Sequence, residues 1–412
     1  MSRALSVRPT AAVALVGALV LGLGTAAAAQ EAGAVGRWDA AVVVNGLEVP
    51  FPFEIAAGGA GLEASFFNGE RRITSTSATA DGARLTFRFD QYATTLQATL
   101  EGGRLAGEYR RARGGPLPFS AVRASTAPGA AATAPSIAGT WIVQAKSNKG
   151  ETAWRFLATQ SGERVEATIL RVDGDTGTLT GAWRDGRFVL GHFSGARPLR
   201  LEVTPNADGT LALSQNGQPA LVAAKASAAR ATDIGTPTDP ALHTRMKNPA
   251  EPLRFSFPDL DGHIVSNTDP TFAGKVLLVS IGGSWCPNCH DEAPFLAALY
   301  RKYRAKGLEV VGLSFEEGDQ LKNPARLRAF IRTYGLEYTF LLPGEPDELN
   351  DKMPQAENLN AFPTTFVVGR DGRVRAIHAG FPSPGSGEFY TKAEHEITAL
   401  VEKLLAERAG SR

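Results

Sequence analysis

The stretch Lys275-Val276-Leu277-Leu278-Val279-Ser280-Ile281 is almost continuously apolar, and Trp285-Cys286-Pro287-Asn288-Cys289 follows it at once. Such a run suits a central strand covered on both faces. Beyond the cysteines, Phe295, Leu296, Leu299, Tyr300 and Tyr303 share one face and Gly307 closes the pattern, which predicts an amphipathic helix. The local order is therefore strand, dithiol, helix. Glu309 to Phe315 reads as the next strand, so the unit is a βαβ crossover, normally right-handed and parallel. Asn323 as cap, Pro324 at the first helical position and Gly335 bound a second helix. Thr364 to Val368 and Arg373 to Ala376, joined by Gly369-Arg370-Asp371-Gly372, predict a hairpin, and Ile397, Leu400, Val401 and Leu404 a last helix.

The chain has 412 residues and these two cysteines alone, too few for a disulfide-stapled scaffold or a four-thiolate zinc site. With Cys286 as N-cap and Pro287 at the first helical position, the sulfur faces unpaired amide N–H groups and the positive end of the helix dipole. A thiolate is stabilised there. Cys289, three residues on, can attack a mixed disulfide formed by Cys286 and release a reduced substrate. A structural disulfide across four residues would constrain the unfolded chain little. A zinc half-site would need two more ligands, and the six histidines are scattered. No metal or cofactor is expected.

Ahead of this block, Met1 to Arg8 carry two arginines and no acid, Thr10 to Gly24 is apolar, and Ala27-Ala28-Ala29 forms a small-residue cleavage pattern. Residues 1–29 read as a signal peptide; the alternative, an uncleaved anchor, has too short an apolar run to span a bilayer. Loss of Arg3 and Arg8 with the leader leaves 41 basic against 42 acidic residues, which is no nucleic-acid footprint. No later segment is apolar enough to span, so a soluble product on the oxidising side of the membrane is expected. Residues 124–135 and 223–252 are rich in Ala, Thr and Pro and read as linkers.

The intervening blocks, 35–123 and 136–222, read as copies. Each opens on Gly-x-Trp, with Trp38 and Trp141 103 positions apart, and Asp81-Gly82 recurs as Asp185-Gly186 after 104. Short alternating runs between Gly-rich turns predict antiparallel strands in two all-β sandwich or barrel repeats. Arg37, Trp38 and Arg111 could form a binding surface, but the two tryptophans are better read as plugs of the barrel ends. His192, the one histidine there, reads as structural.

Residues 253–412 resemble the α/β thioredoxin-fold, extracytoplasmic thiol-disulfide oxidoreductases of the TlpA and ResA type. The likeness runs over about 253–407 and rests on Trp285-Cys286-x-x-Cys289, Glu292, Pro294 and Phe362-Pro363-Thr364-Thr365-Phe366. It implies catalytic roles for Cys286, Cys289, Glu292 as proton carrier and Pro363 as a cis-proline against the dithiol. It also implies a substrate groove at Trp285, Pro287, Phe362 and Thr364. Phe362 is bulkier than the residue many relatives carry there, and Pro346 and Pro354 make 343–358 an expected irregular stretch. His290 reads either as an aid to thiolate stability or as an exposed helical residue, and His378 as a packing or surface residue.

These readings converge on an enzyme of the cell envelope or periplasm that reduces disulfides in other envelope proteins, fed by a membrane electron donor. A peroxiredoxin-like peroxidase shares the fold, but peroxiredoxins usually carry Thr where this chain has Gly283, and Trp285 also argues against it. A third reading makes the β repeats the recruiting module of an envelope binding protein, with the dithiol secondary.

Overall fold

The computed structural model describes residues 33–59, 61–125 and 134–407. The expected leader and most of the linker 124–135 lie outside them. Among the described residues no helix is long and apolar enough to cross a membrane.

The first copy is a nine-stranded antiparallel meander whose order ends on Arg71–Thr74 at one edge and Ser77–Asp81 at the other. These edges are not paired with each other, so the sheet curls into a barrel with an open seam. The second copy closes. Its strands run in sequence from Gly139–Gln144 to Leu221–Lys225, the first pairs with the last, and Ala153–Ser161 pairs with Arg164–Arg171. Alternation drives both, as in the burial of Val49, Phe51, Phe53 and Ile55 along Leu47–Gly58 against less buried residues between them.

Both tryptophans are core residues. Trp38 and Trp141 are buried, each indole N–H donates to the carbonyl four residues earlier, Ala34 at 3.0 Å and Ile137 at 2.8 Å, and a cation lies over each ring, Arg123 and Lys225. The copies are also fused to each other. Phe193, from the second, is fully buried in the core of the first, with ring centroids 5.0 Å from Phe51, 5.1 Å from Phe66 and 4.9 Å from Tyr109. Tyr109 Oη donates to Gly195 O at 2.8 Å. A Cβ at Gly191 would stand 1.9 Å from Pro50 O, so this approach requires glycine.

The segment 223–252 is more ordered than its composition suggests. Residues 223–225 complete the last barrel strand, helices form at Arg230–Ile234 and Pro240–His243, and Arg245–Met246 pairs with Ala356–Glu357. Alanine-rich composition hid that strand, because alanines carry little alternation.

In the C-terminal domain the strands are β1 (Val276–Gly282), β2 (Leu308–Ser314), β3 (Thr339–Leu341), β4 (Thr364–Val368) and β5 (Val374–Ala379), ordered β3-β2-β1-β4-β5. β1 runs parallel to β2 and antiparallel to β4. Its side chains divide by parity: Leu277, Val279 and Ile281 join Phe255, Phe272 and Met353 on one face. Val276 and Leu278 meet α1 (Pro287–Tyr303) and α3 (Glu388–Ala406) on the other. α2 (Ala325–Tyr334) begins one residue later than the sequence suggests, with Pro324 as cap and Gly335 left-handed at its end. The stretch 343–358 is not irregular throughout. A 3₁₀ turn, Pro346–Glu348, runs into helix Leu349–Lys352, and a capping box between Glu345 and Glu348 overrides the prolines, Pro346 sitting where a helix start tolerates it.

Candidate functional site

β1 delivers the chain to the dithiol and α1 carries it away. Cys286 is the N-cap of α1 with Pro287 at the first helical position, and its Sγ accepts the Cys289 amide N–H at 3.3 Å. Both thiols are free and buried, and Cys286 has no exposed surface. Its Sγ also lies 3.5 Å from Phe362 O, and the Phe362-Pro363 peptide is cis. Trp285 packs edge-on to Phe362 and donates its indole N–H to Phe315 O at 2.8 Å. Thr364 Oγ1 donates to Ala361 O at 2.8 Å. The residues assigned to catalysis and the groove thus meet at one place, except that Glu292 lies behind the sulfurs.

Glu292, one helical turn past Cys289, is buried and accepts hydrogen bonds from Ser280 Oγ at 2.8 Å and Thr365 Oγ1 at 2.6 Å. Burial pushes its carboxyl up to about 7 against these two bonds. Burial, together with Cys286 and Glu292, holds the Cys289 thiol well above the ordinary cysteine value. A cavity of about 30 Å³ bordered by Cys289, Glu292 and Ser280 has room for a water molecule between them. Ser280 had a legible signal: it is the one polar residue in an otherwise apolar central strand.

A second polar cluster fixes the approach to Cys286. Arg326 and Glu316, both almost fully buried, pair at 2.7 Å. Arg326 Nε donates to Ser284 Oγ at 2.7 Å, and the Ser284 amide donates to Glu316 Oε1 at 2.7 Å. Ser284, two residues before Cys286, is therefore held by side chain and backbone. The sequence offered no period that would join Arg326 to it.

His290 is not exposed. It stacks on Tyr92 of the first copy at 4.0 Å, its Nε2–H donates to Ser284 O at 2.9 Å, and Nδ1 accepts from Tyr334 Oη at 2.9 Å. Burial holds it down to about 3, so it stays neutral near neutral pH. His378, half-buried, bonds Gly380 O through Nδ1 at 3.0 Å. Among the described residues no group of three or more His, Cys, Asp or Glu is placed to hold a metal ion.

The second barrel reaches the same helix end. Asn288 Nδ2 donates to Asp173 O at 2.5 Å, and Gly174 forms a parallel bridge with Phe381. From the first copy, Arg71 pairs with Asp291 at 2.9 Å, and Asn68 donates to the same carboxylate at 3.1 Å. Asn68 Oδ1 accepts the Thr178 amide at 2.8 Å, so one side chain ties all three units. Burial and nearby Asp175 push Asp291 up to about 7, with Arg71 and Asn68 opposing. A cavity of about 420 Å³ lies where the units meet, with Arg71, Arg171, Arg197 and Asn288 in its wall.

A helix N-terminal Cys-x-x-Cys facing a cis-proline on a central-strand sheet is the arrangement of a thioredoxin-like domain. Comparisons agree. A family model described as "AhpC/TSA family" matches residues 249–377. The thiol-disulfide oxidoreductase ResA of Bacillus thuringiensis (strain Al Hakam) is 28% identical over 130 residues, covering 32% of this chain and 68% of that protein; ResA of Bacillus anthracis gives the same figures. A thiol:disulfide interchange protein of the thioredoxin family from Chlorobium tepidum TLS superposes with a TM-score of 0.30 at 23% identity, over 38% of this chain and 99% of that one. The C-terminal domain is similar to the ResA-type proteins over these residues, and the chain is a thiol-disulfide oxidoreductase.

Proposed function

We propose that this enzyme reduces disulfides in proteins of the cell envelope through Cys286 and Cys289, after export directed by residues 1–29. The observation that carries the reading is the placement of the dithiol. The Cys286 sulfur caps α1 and takes the Cys289 N–H, while Cys289 stands one turn before a buried carboxyl.

The Cys286 thiolate attacks one sulfur of a substrate disulfide, forming a Cys286–substrate S–S bond and expelling the other substrate sulfur as a thiolate that takes a proton from water. The helix end and the Cys289 amide favour negative charge on the attacking sulfur. Glu292, poised near neutrality, then accepts the Cys289 proton, directly or across one water. Cys289 attacks Cys286 Sγ, the mixed disulfide breaks, and the second substrate sulfur leaves reduced. Two electrons have passed from the dithiol to the substrate, and an electron donor at the membrane must return them to the Cys286–Cys289 disulfide. Trp285, Pro287 and Phe362 form the surface against which the substrate chain lies, with Pro363 and Thr364 buried beneath it.

The test is Cys289→Ala in the full chain. Without the resolving thiol, Cys286 should accumulate covalent complexes with envelope proteins that reductant releases, and Cys286→Ala/Cys289→Ala should accumulate none. Equal behaviour of the two variants overturns the reading. A peroxidase reading has the family description on its side, and its signature would be hydrogen peroxide consumption that depends on Cys286; Gly283 and Trp285 weigh against it.

A further inference from the structure

We propose that the second barrel's segment Val172–Asp175 is a built-in gate on the dithiol, seated in the groove beside Cys286, and that it determines which disulfides react. This rests on the dithiol reading above but is tested separately from it.

Four contacts seat the segment. The Val172 side chain packs with Ala361, just before the cis-proline turn, and with Ala379 at the end of β5. Asp173 offers its carbonyl to Asn288 in the first turn of α1. Gly174 continues as a backbone bridge to Phe381, in the manner of a strand added beyond a sheet edge. Asp175 Oδ2 accepts the Ser383 amide at 2.8 Å, Ser383 Oγ at 2.9 Å and Ser386 Oγ. The fit is closed at backbone level: a Cβ on Gly174 would stand 2.4 Å from Phe381 O, and one on Gly380 would stand 2.3 Å from the Asp173 carbonyl carbon.

The nucleophile has no exposed surface, although the chemistry requires it to meet another protein's sulfur. An extended substrate chain and the segment compete for one place. Cys286 therefore reacts only from the fraction of molecules in which the segment has lifted, and every observed rate is the intrinsic rate multiplied by that fraction. A disulfide on a flexible extended loop can displace the segment. One held within a rigid folded surface cannot. The β repeats thus contribute selectivity to the redox reaction.

The experiment reads access without requiring turnover. In the Cys289→Ala background Cys286 is the sole thiol, and its alkylation by iodoacetamide is followed by mass spectrometry in the full chain. Adding Gly174→Val drives a side chain against Phe381 O and Asn288, and alkylation should accelerate at least tenfold. Ser383→Ala/Ser386→Ala removes two hydroxyl donors to Asp175 from the redox domain's side, leaves the barrel sequence intact, and should accelerate it severalfold. Far-UV circular dichroism confirms that each variant keeps its β structure. If folded variants react at the parental rate, or if the parent reacts as fast as the urea-unfolded chain, the gate is overturned. Faster alkylation in the variants, together with no trapped partner for Cys289→Ala alone, keeps the gate and overturns only the redox assignment.

Discussion

Replacing Glu292 by Gln should make the redox domain more stable and less active, and the stability gain should depend on pH. The carboxyl is buried, is bonded by Ser280 and Thr365, and is raised from the ordinary 4.5 to about 7, chiefly by burial. An acid whose folded value is raised has its proton held more tightly by the folded state. Folding therefore incurs no cost from it below about pH 4.5, a growing cost between about 4.5 and 7, and the full cost above 7. The displacement corresponds to roughly 3 kcal/mol at ~1.4 kcal/mol per pH unit. Gln keeps the shape and cannot ionise, and the two hydroxyls can each bond one end of the amide. Glu292→Gln should thus gain about 3 kcal/mol at pH 8.5 and under about 1 kcal/mol at pH 5. Hydrogen exchange of the β1 amides in the reduced full chain reports this domain's own opening and measures the gain at both pH values. The same variant should resolve mixed disulfides about 10²–10⁴-fold more slowly if Glu292 takes the Cys289 proton. A gain equal at pH 5 and pH 8.5, or a loss at both, refutes the burial argument; an unchanged resolution rate refutes the proton transfer.

Arg326→Ala strands Glu316 and Glu317 without their shared cation in a site where Arg326 and Glu316 have almost no exposure, so a loss of about 3–5 kcal/mol is expected in denaturant unfolding. Arg326→Leu/Glu316→Leu should recover part of it, and an Arg326→Ala loss below about 1 kcal/mol would show the pair to be dispensable. Phe193→Ala opens a cavity in the core of the first barrel at a cost of about 3–5 kcal/mol, and limited proteolysis should then cut the first copy before the second. In Cys286→Ala, the lone Cys289 stays buried and its thiol stays high, so at pH 8.5 it should alkylate far more slowly than a free cysteine; a free-thiol rate contradicts the burial.

What could be read from sequence was whatever a local period or a local exception encodes. The apolar run into Cys286, Pro287 behind it and the helix face from Phe295 to Tyr303 determine strand, helix cap and helix within thirty or so residues, and the structure has that order. The paired Gly-x-Trp motifs were legible, and in the structure Trp38 and Trp141 each donate to the carbonyl four residues back. Contacts between distant segments leave no such trace. Arg71 and Asp291 stand 220 positions apart, and neither is unusual in its own neighbourhood. His290 could be read from sequence as an exposed helical residue; in the structure Phe330 and Tyr334 of its own domain and Tyr92 of the first copy bury it. Helix Leu349–Lys352 was hidden by prolines whose effect depends on position, since Pro346 is harmless at a helix start and would be disruptive inside one.

The difference between the two copies explains why the β region grips the redox domain where it does. A closed barrel has no free edge, and the second copy is closed. The first is open between Arg71–Thr74 and Ser77–Asp81, and its contacts to α1 come from beside that seam: Asn68 and Arg71 flank the turn into the seam strand. Tyr92 lies just past Arg84–Phe89, the strand paired with the other seam edge. Phe193 packs into the core of the first barrel and fixes the second barrel against it. Closing the first barrel would remove the edge that holds Asp291 and His290. Both copies therefore hold α1, the first through Asn68, Arg71 and Tyr92 beside its seam and the second through Asp173 in the segment at the groove.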